Sequence, residues 1–334
     1  MQSIRNNVGT TSTALVPYFP TASNDSQQNH PNFIESNSSA ISVGDLSTKC
    51  IVPTFADNKL TIAHQNFIQS VVKAGELVFG DLTPVECRVS HQINGRIPSA
   101  LHKKESELKE NEKTIYYQRM AFCCHAKNIV RTINGQIVHL CLGGVRSYAE
   151  DRLYSSISPM KFKIFVGWQV KVCSNLMLSN DGFTGNLNCL TEFDLIQNSI
   201  ELFKSFDPKK DQELRLLEEL RFTQIPEEVF CQIIGRLRLY QFLRPSDQKR
   251  LPSINIGDQA VNNMVRGYIS NPNFGKRRNA DITLWNLLQL GNEAVKQSYI
   301  DRWLDRNVEV TNFAMGLQKA IEGNDNEGYG WFLN

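Results

Sequence analysis

The chain of 334 residues contains no GxSxG elbow, no Walker loop, no HExxH pair and no GxGxxG turn. Each of those spacings serves one chemistry: a strained nucleophilic serine, a backbone cradle for phosphates, two imidazoles on one helix face, or a tight turn against a pyrophosphate. Their absence argues against an ordinary hydrolase, kinase or dehydrogenase. No apolar run approaches the roughly 18 residues that cross a bilayer. The opening MQSIRNNVGTTSTALVPYF has no continuous apolar stretch behind Arg5, so a secretory signal is not expected either. The 8 cysteines are scattered without a CxxC pair, which fits a reduced, cytoplasmic protein. Charge of one sign is also scarce: 36 Lys and Arg against 34 Asp and Glu leave +2. Any basic surface must therefore be local and offset by acidic surface elsewhere. No repeat of supersecondary length occurs, which argues against a solenoid.

With 41% hydrophobic residues, the chain can bury one large core or two modest ones. Residues 1–50 are rich in Ser, Asn and Gln, as in TASNDSQQNHPNFIESNSSAIS, and poor in aliphatics. Such a tract buries too little apolar area to offset its ordering entropy and is expected to be disordered. Residues 51–185 then read as an α+β domain. Leu60, Phe67, Ile68, Val71 and Val72 form a helical stripe that Gly80 can end. Strand signals follow in VECRVSHQI, TIYYQRMAFCCHA, IVRTI and QIVHLCLGG, with a hairpin signal at Asn134-Gly135 and a second tight turn at Asn94-Gly95. Residues 186–334 change to helical spacing. Phe193, Ile196, Ile200 and Phe203 make one stripe, and Val229, Phe230, Ile233, Leu237 and Tyr240 another behind Pro226. DITLWNLLQL, SYIDRWLDRN and VTNFAMGLQKAI read as three further helices. The expected fold is thus an antiparallel sheet packed with a helix, followed by an all-helical domain.

The stretch KFKIFVGWQVKVCSNL poses the main functional question. Phe162, Ile164, Val166, Trp168, Val170 and Val172 alternate with Lys161, Lys163, Phe165, Gly167, Gln169 and Lys171. A period of two marks a strand with its apolar row on a core. The other row, basic with one aromatic, has the composition of a surface for single-stranded nucleic acid, where cations follow the backbone and aromatics stack on bases. LGGVRSYAEDR adds Arg146 for a phosphate and Tyr148 for a base or sugar, against the simpler reading of a strand-ending turn. GKRRN places Lys276, Arg277 and Arg278 in a loop that can track phosphates, or merely face water. Glu150, Asp151 and Asp181 are the carboxylates a metal-dependent nuclease would use, although adjacent strand residues point to opposite faces.

Cys123-Cys124-His125 with His139 and Cys141 suggests zinc. A two-residue Asn134-Gly135 turn, however, pairs residue 133 with 136, and so Cys141 with Asn128 and Cys124 with Val145. Cys124 and Cys141 would then stand on one face roughly 13 Å apart, too far to share an ion. Buried thiols and no metal or cofactor are expected.

Taken together, HQINGRIPSA, YYQRMAF, GGVRSY, FKIFVGWQVKVCSNL, GRLRLYQFL, SYIDRWLDRNV and the closing WFLN resemble a Bacteroidetes family known as domain of unknown function 3871. That family is distantly similar to phage- and plasmid-borne proteins. The resemblance runs from about Lys59 to the C-terminus and implies a mobile-element or prophage setting. It carries no catalytic residues. The residues themselves favour a non-catalytic binder of single-stranded DNA or another nucleic acid. The alternatives are an anti-defence or regulatory factor that docks a host protein, and a metal-dependent nuclease.

Overall fold

The structure is a computed structural model that describes residues 31–50, 61–100, 102–147, 159–206, 212–277 and 280–334. Strand β1 (Ser38–Ala40) and helices α1 (Val43–Lys49) and α2 (His64–Phe79) come first. They are followed by β2 (Glu86–Ser90), β3 (Ile93–Arg96), β4 (Lys113–Tyr117), β5 (Met120–Ile133), β6 (Gln136–Arg146), β7 (Met160–Val170), β8 (Leu176–Met177) and β9 (Phe183–Cys189). The helix-rich part holds α3 (Glu192–Ser205), α4 (Gln212–Glu219), β10 (Gln224–Ile225), α5 (Glu227–Tyr240), α6 (Pro245–Gln248) and α7 (Asp258–Ser270). It closes with β11 (Ile282–Thr283), α8 (Leu284–Val295) and α9 (Ile300–Ile321). The fold is α+β, and none of the described helices is long and apolar enough to cross a membrane.

The main sheet is antiparallel in the order β1-β2-β5-β6-β7, with β8 and β9 both pairing the outer side of β7 at different heights. Asn134 and Gly135 make the β5–β6 turn with φ of 50° and 75°, the left-handed pair that a two-residue hairpin of native twist requires. The register expected from that turn holds only near the tip. Val130 pairs His139, but His125 pairs Cys141, so five steps along β5 match two along β6. The extra residues bulge toward the segment after α2, where Lys127 N–H donates to the Asp81 carbonyl and Thr83 N–H to the His125 carbonyl. This odd shift puts Cys124 in the core under α2, and Cys123 and Cys141 together on the opposite face. Asn94-Gly95 is not a turn. It lies within β3, where the pairing with β4 slips between Asn94 and Arg96.

Both faces of the sheet are covered. The apolar row of β7, from Phe162 to Val170, lies in the core on the face that α2 and α3 cover, where Phe67 meets Phe122 at 5.3 Å and Phe162 at 4.8 Å between ring centroids. Gly144 permits this approach, since a Cβ there would stand 2.5 Å from the Phe67 ring. The other face lies under the first half of α9, whose Ile300, Trp303, Leu304 and Val308 recur at helical spacing. The second half of α9 turns Val310, Phe313, Ala314 and Leu317 into the helical core. SYIDRWLDRN and VTNFAMGLQKAI are therefore one helix of 22 residues.

Two features bear on the N-terminal tract and on the change of composition. The polar N-terminal tract is ordered over 31–50: Phe33 and Ile34 are 2% and 0% exposed, under the same helix as the second sheet face. The change of composition near residue 185 separates strand-rich from helix-rich sequence, but one continuous apolar cluster joins α2 and the sheet to α5, α7 and α8.

Candidate functional site

The second row of β7 is not an open surface. Phe165 is 0% exposed and meets Trp303 edge-on, with ring centroids 5.8 Å apart and planes at 89°. Lys163 is 6% exposed, and its ammonium donates to the Asp305 carboxylate at 2.7 Å and the Asp301 carbonyl at 2.8 Å. An acidic edge on α9 explains why lysine is tolerated there: a buried ammonium needs an anion and further acceptors. Arg146 is also buried. Its guanidinium lies 4.0 Å over the Phe162 ring and donates to the Lys161 carbonyl at 3.1 Å. Lys161 is half-buried at the start of the strand, and Tyr148, Glu150, Asp151 and Arg278 lie outside the described residues. Asp181 is exposed in a turn, and no group of metal-ligating side chains occurs among the described residues.

The remaining expected residues gather at the opposite end of the hairpin. Lys171 is exposed, and its N–H donates to the Ile137 carbonyl at 2.9 Å, one residue from Gln136. Gln136 and Asn134 form one wall of a cleft of about 360 Å³ whose other walls carry Arg221 and Arg277, with Phe274 and Trp285 among its lining residues. Lys276 adjoins it but is paired with Glu227, which raises the lysine's pKa.

Each wall has a local cause. β10 pairs β11, Leu284 N–H donates to the Thr223 carbonyl and Trp285 N–H to the Leu220 carbonyl. These bonds bring the turn after α4, with Arg221 and Phe222, against the start of α8. Thr283 and Asn286 cap α8 reciprocally, which fixes that start. On the loop side, the Asn271 carboxamide oxygen accepts from the N–H groups of Asn273 and Phe274. Phe274, nearly buried, anchors the turn, and Arg277 pairs Ala280 at the neck of the loop.

The electrostatics are locally basic. Among the described residues the lining holds two arginines, Arg221 and Arg277, and one carboxylate, Asp281. Arg221 stacks 4.5 Å over Phe222, an aromatic ring left 71% exposed, and lies 3.9 Å from Glu218. Asn134 Nδ2 and Oδ1 are shielded from solvent without a hydrogen-bond partner. Such an arrangement can hold phosphate oxygens on the arginines and offer a ring to a planar group.

Arg277 was legible in the sequence as part of a cationic loop. Arg221 and Trp285 were not, because they reach the cleft only through the β10–β11 pairing, two residues long on each side. Asn134 was legible only as a turn residue.

No curated protein and no solved structure matches the chain. A family model does match, over residues 20–333, with the description "Domain of unknown function, B. Theta Gene description (DUF3871)".

Proposed function

The chain belongs to the DUF3871 family, and from its own side chains we propose that it binds single-stranded nucleic acid, DNA foremost, without catalysing a reaction on it. The observation that carries this reading is the convergence of Arg221 and Arg277 on one cleft beside an exposed aromatic ring, Phe222. Single-strand binders combine cations for the backbone with aromatic faces for the bases. The binding surface is thus the cleft at the β5–β6 tip with Lys171 beside it, and not the covered row of β7. The setting we propose with it is the cytoplasm of a Bacteroidetes cell, with DNA of a mobile element or prophage as ligand. The B. Theta gene in the family's description supports the host part of that setting.

Titrating the protein into labelled single-stranded DNA and RNA oligomers tests the reading, with fluorescence anisotropy recorded at ~50 and ~200 mM salt. Affinity that falls steeply between the two is the expected result. No affinity for any oligomer at the lower salt would sink it.

A further inference from the structure

Asn134 does two separable things. Its backbone, at φ 50°, makes the hairpin turn, a role that glycine fills equally well. The residue also lines the cleft, and both of its amide atoms expose less than 1 Å² with no hydrogen-bond partner among the described residues. Leaving a buried donor or acceptor unpaired is costly for each group, because its hydration is lost with nothing in return. The turn requires none of this, because a solvated amide would serve it as well.

Resting on the nucleic-acid reading above, we propose that Asn134 holds the edge of one base, so that the cleft takes a nucleoside unit and not bare backbone. The unused atoms decide between the two. A phosphate only accepts hydrogen bonds, so it could satisfy Nδ2 and would leave Oδ1 orphaned. A base edge sets a donor beside an acceptor, which is the complement of a carboxamide. The size agrees: about 360 Å³ lies within the ~300–1,000 Å³ of small-ligand sites. Phe274 and Trp285 supply apolar lining for a flat ring, and Arg221 and Arg277 stand where flanking phosphates can be held. Because the amide is covered, an incoming base displaces the side chains at the rim. All four bases carry a neighbouring donor and acceptor, so the contact demands a base but selects weakly among bases.

The test compares two labelled DNA single strands of equal length, one with its bases and one abasic, on the full chain and on Asn134→Gly. Two neutral hydrogen bonds correspond to a preference of about tenfold for the base-bearing strand in the unaltered protein. Asn134→Gly should bring that ratio near one, leave affinity for the abasic strand unchanged, and keep or raise the thermal midpoint, since two unpaired buried groups leave with the side chain. Asn134→Asp, which keeps the side-chain shape and an acceptor but loses the donor, should lower the ratio to about threefold. Either variant keeping the full preference, or unaltered protein binding both strands equally, overturns the base contact while leaving backbone binding intact. Absence of binding to both strands overturns the nucleic-acid reading and the base contact together.

Discussion

Lys163 and Phe165 sit beneath α9, one paired with Asp305 and the other against Trp303. Reversing Lys163 to Glu sets two carboxylates side by side in a covered site. Breaking a buried pair costs about 3–5 kcal/mol, and Phe165→Ala should cost a similar ~3–5 kcal/mol through the cavity it leaves. Urea denaturation checks both; an unchanged midpoint would mean that α9 does not cover the strand. His64 gives a second prediction. It is fully buried on α2 with Nε2 2.9 Å from the Gln118 carbonyl. Burial, with Arg146 nearby as a smaller cause, pushes its pKa down to about 3 from 6.5. The unfolded chain therefore binds a proton below pH 6.5 that the folded chain refuses until about pH 3. The stability from His64 is present in full above the unfolded value and is lost as pH falls through that window, by a few kcal/mol in total. His64→Gln should flatten the slope of stability against pH between about 6 and 4. A slope that persists would assign it to other groups.

Element α3 shows where a helix gains its stability. Thr191 Oγ1 accepts from the Asp194 N–H at 3.1 Å, and the Asp194 carboxylate accepts from the N–H of Thr191 at 2.9 Å. Thr191→Ala should cost about 1 kcal/mol in thermal or urea unfolding, whereas no loss would mean that solvent caps the helix equally well. The same helix shows what periodicity can and cannot give. Its position was legible, but Phe193 is 68% exposed and the buried stripe is Leu195, Ser199 and Phe203. Amphipathic spacing there fits two adjacent faces, and packing beside α2 chose one. Elsewhere the local rules sufficed: Gly80 ends α2 at φ 80°, the Asn134-Gly135 hairpin forms, and four of the five expected α5 core residues are buried. The bulge in β5 escaped detection because its backbone partners lie some forty residues away, at Asp81 and Thr83. A basic strand row under a helix escaped because the partners of Lys163, the Asp301 carbonyl and the Asp305 carboxylate, lie 138 and 142 residues further on. Non-local pairing is what a pattern of two or 3.6 residues does not contain.

At the scale of the whole molecule, one core links the two halves, and the polar N-terminal segment contributes to the second face of the sheet. Phe33 packs 5.3 Å from Trp303. Burying two such side chains is worth roughly 3–6 kcal/mol. Deleting residues through Ile34 should therefore lower the thermal midpoint by several degrees, and an unchanged midpoint would mean that the segment does not dock. Assembly of the cleft is also a property of the whole, since Asn134 comes from the sheet, Arg221 from the turn after α4 and Arg277 from the loop after α7. The central claim is that these guanidiniums hold a single strand. It is tested most directly by the salt dependence of oligomer affinity in Arg221→Gln/Arg277→Gln beside the unaltered protein. Losing two phosphate contacts should weaken binding and flatten the log–log salt slope by about 1.4, with the thermal midpoint preserved. Affinity and slope that stay where they were in the double variant would contradict the account.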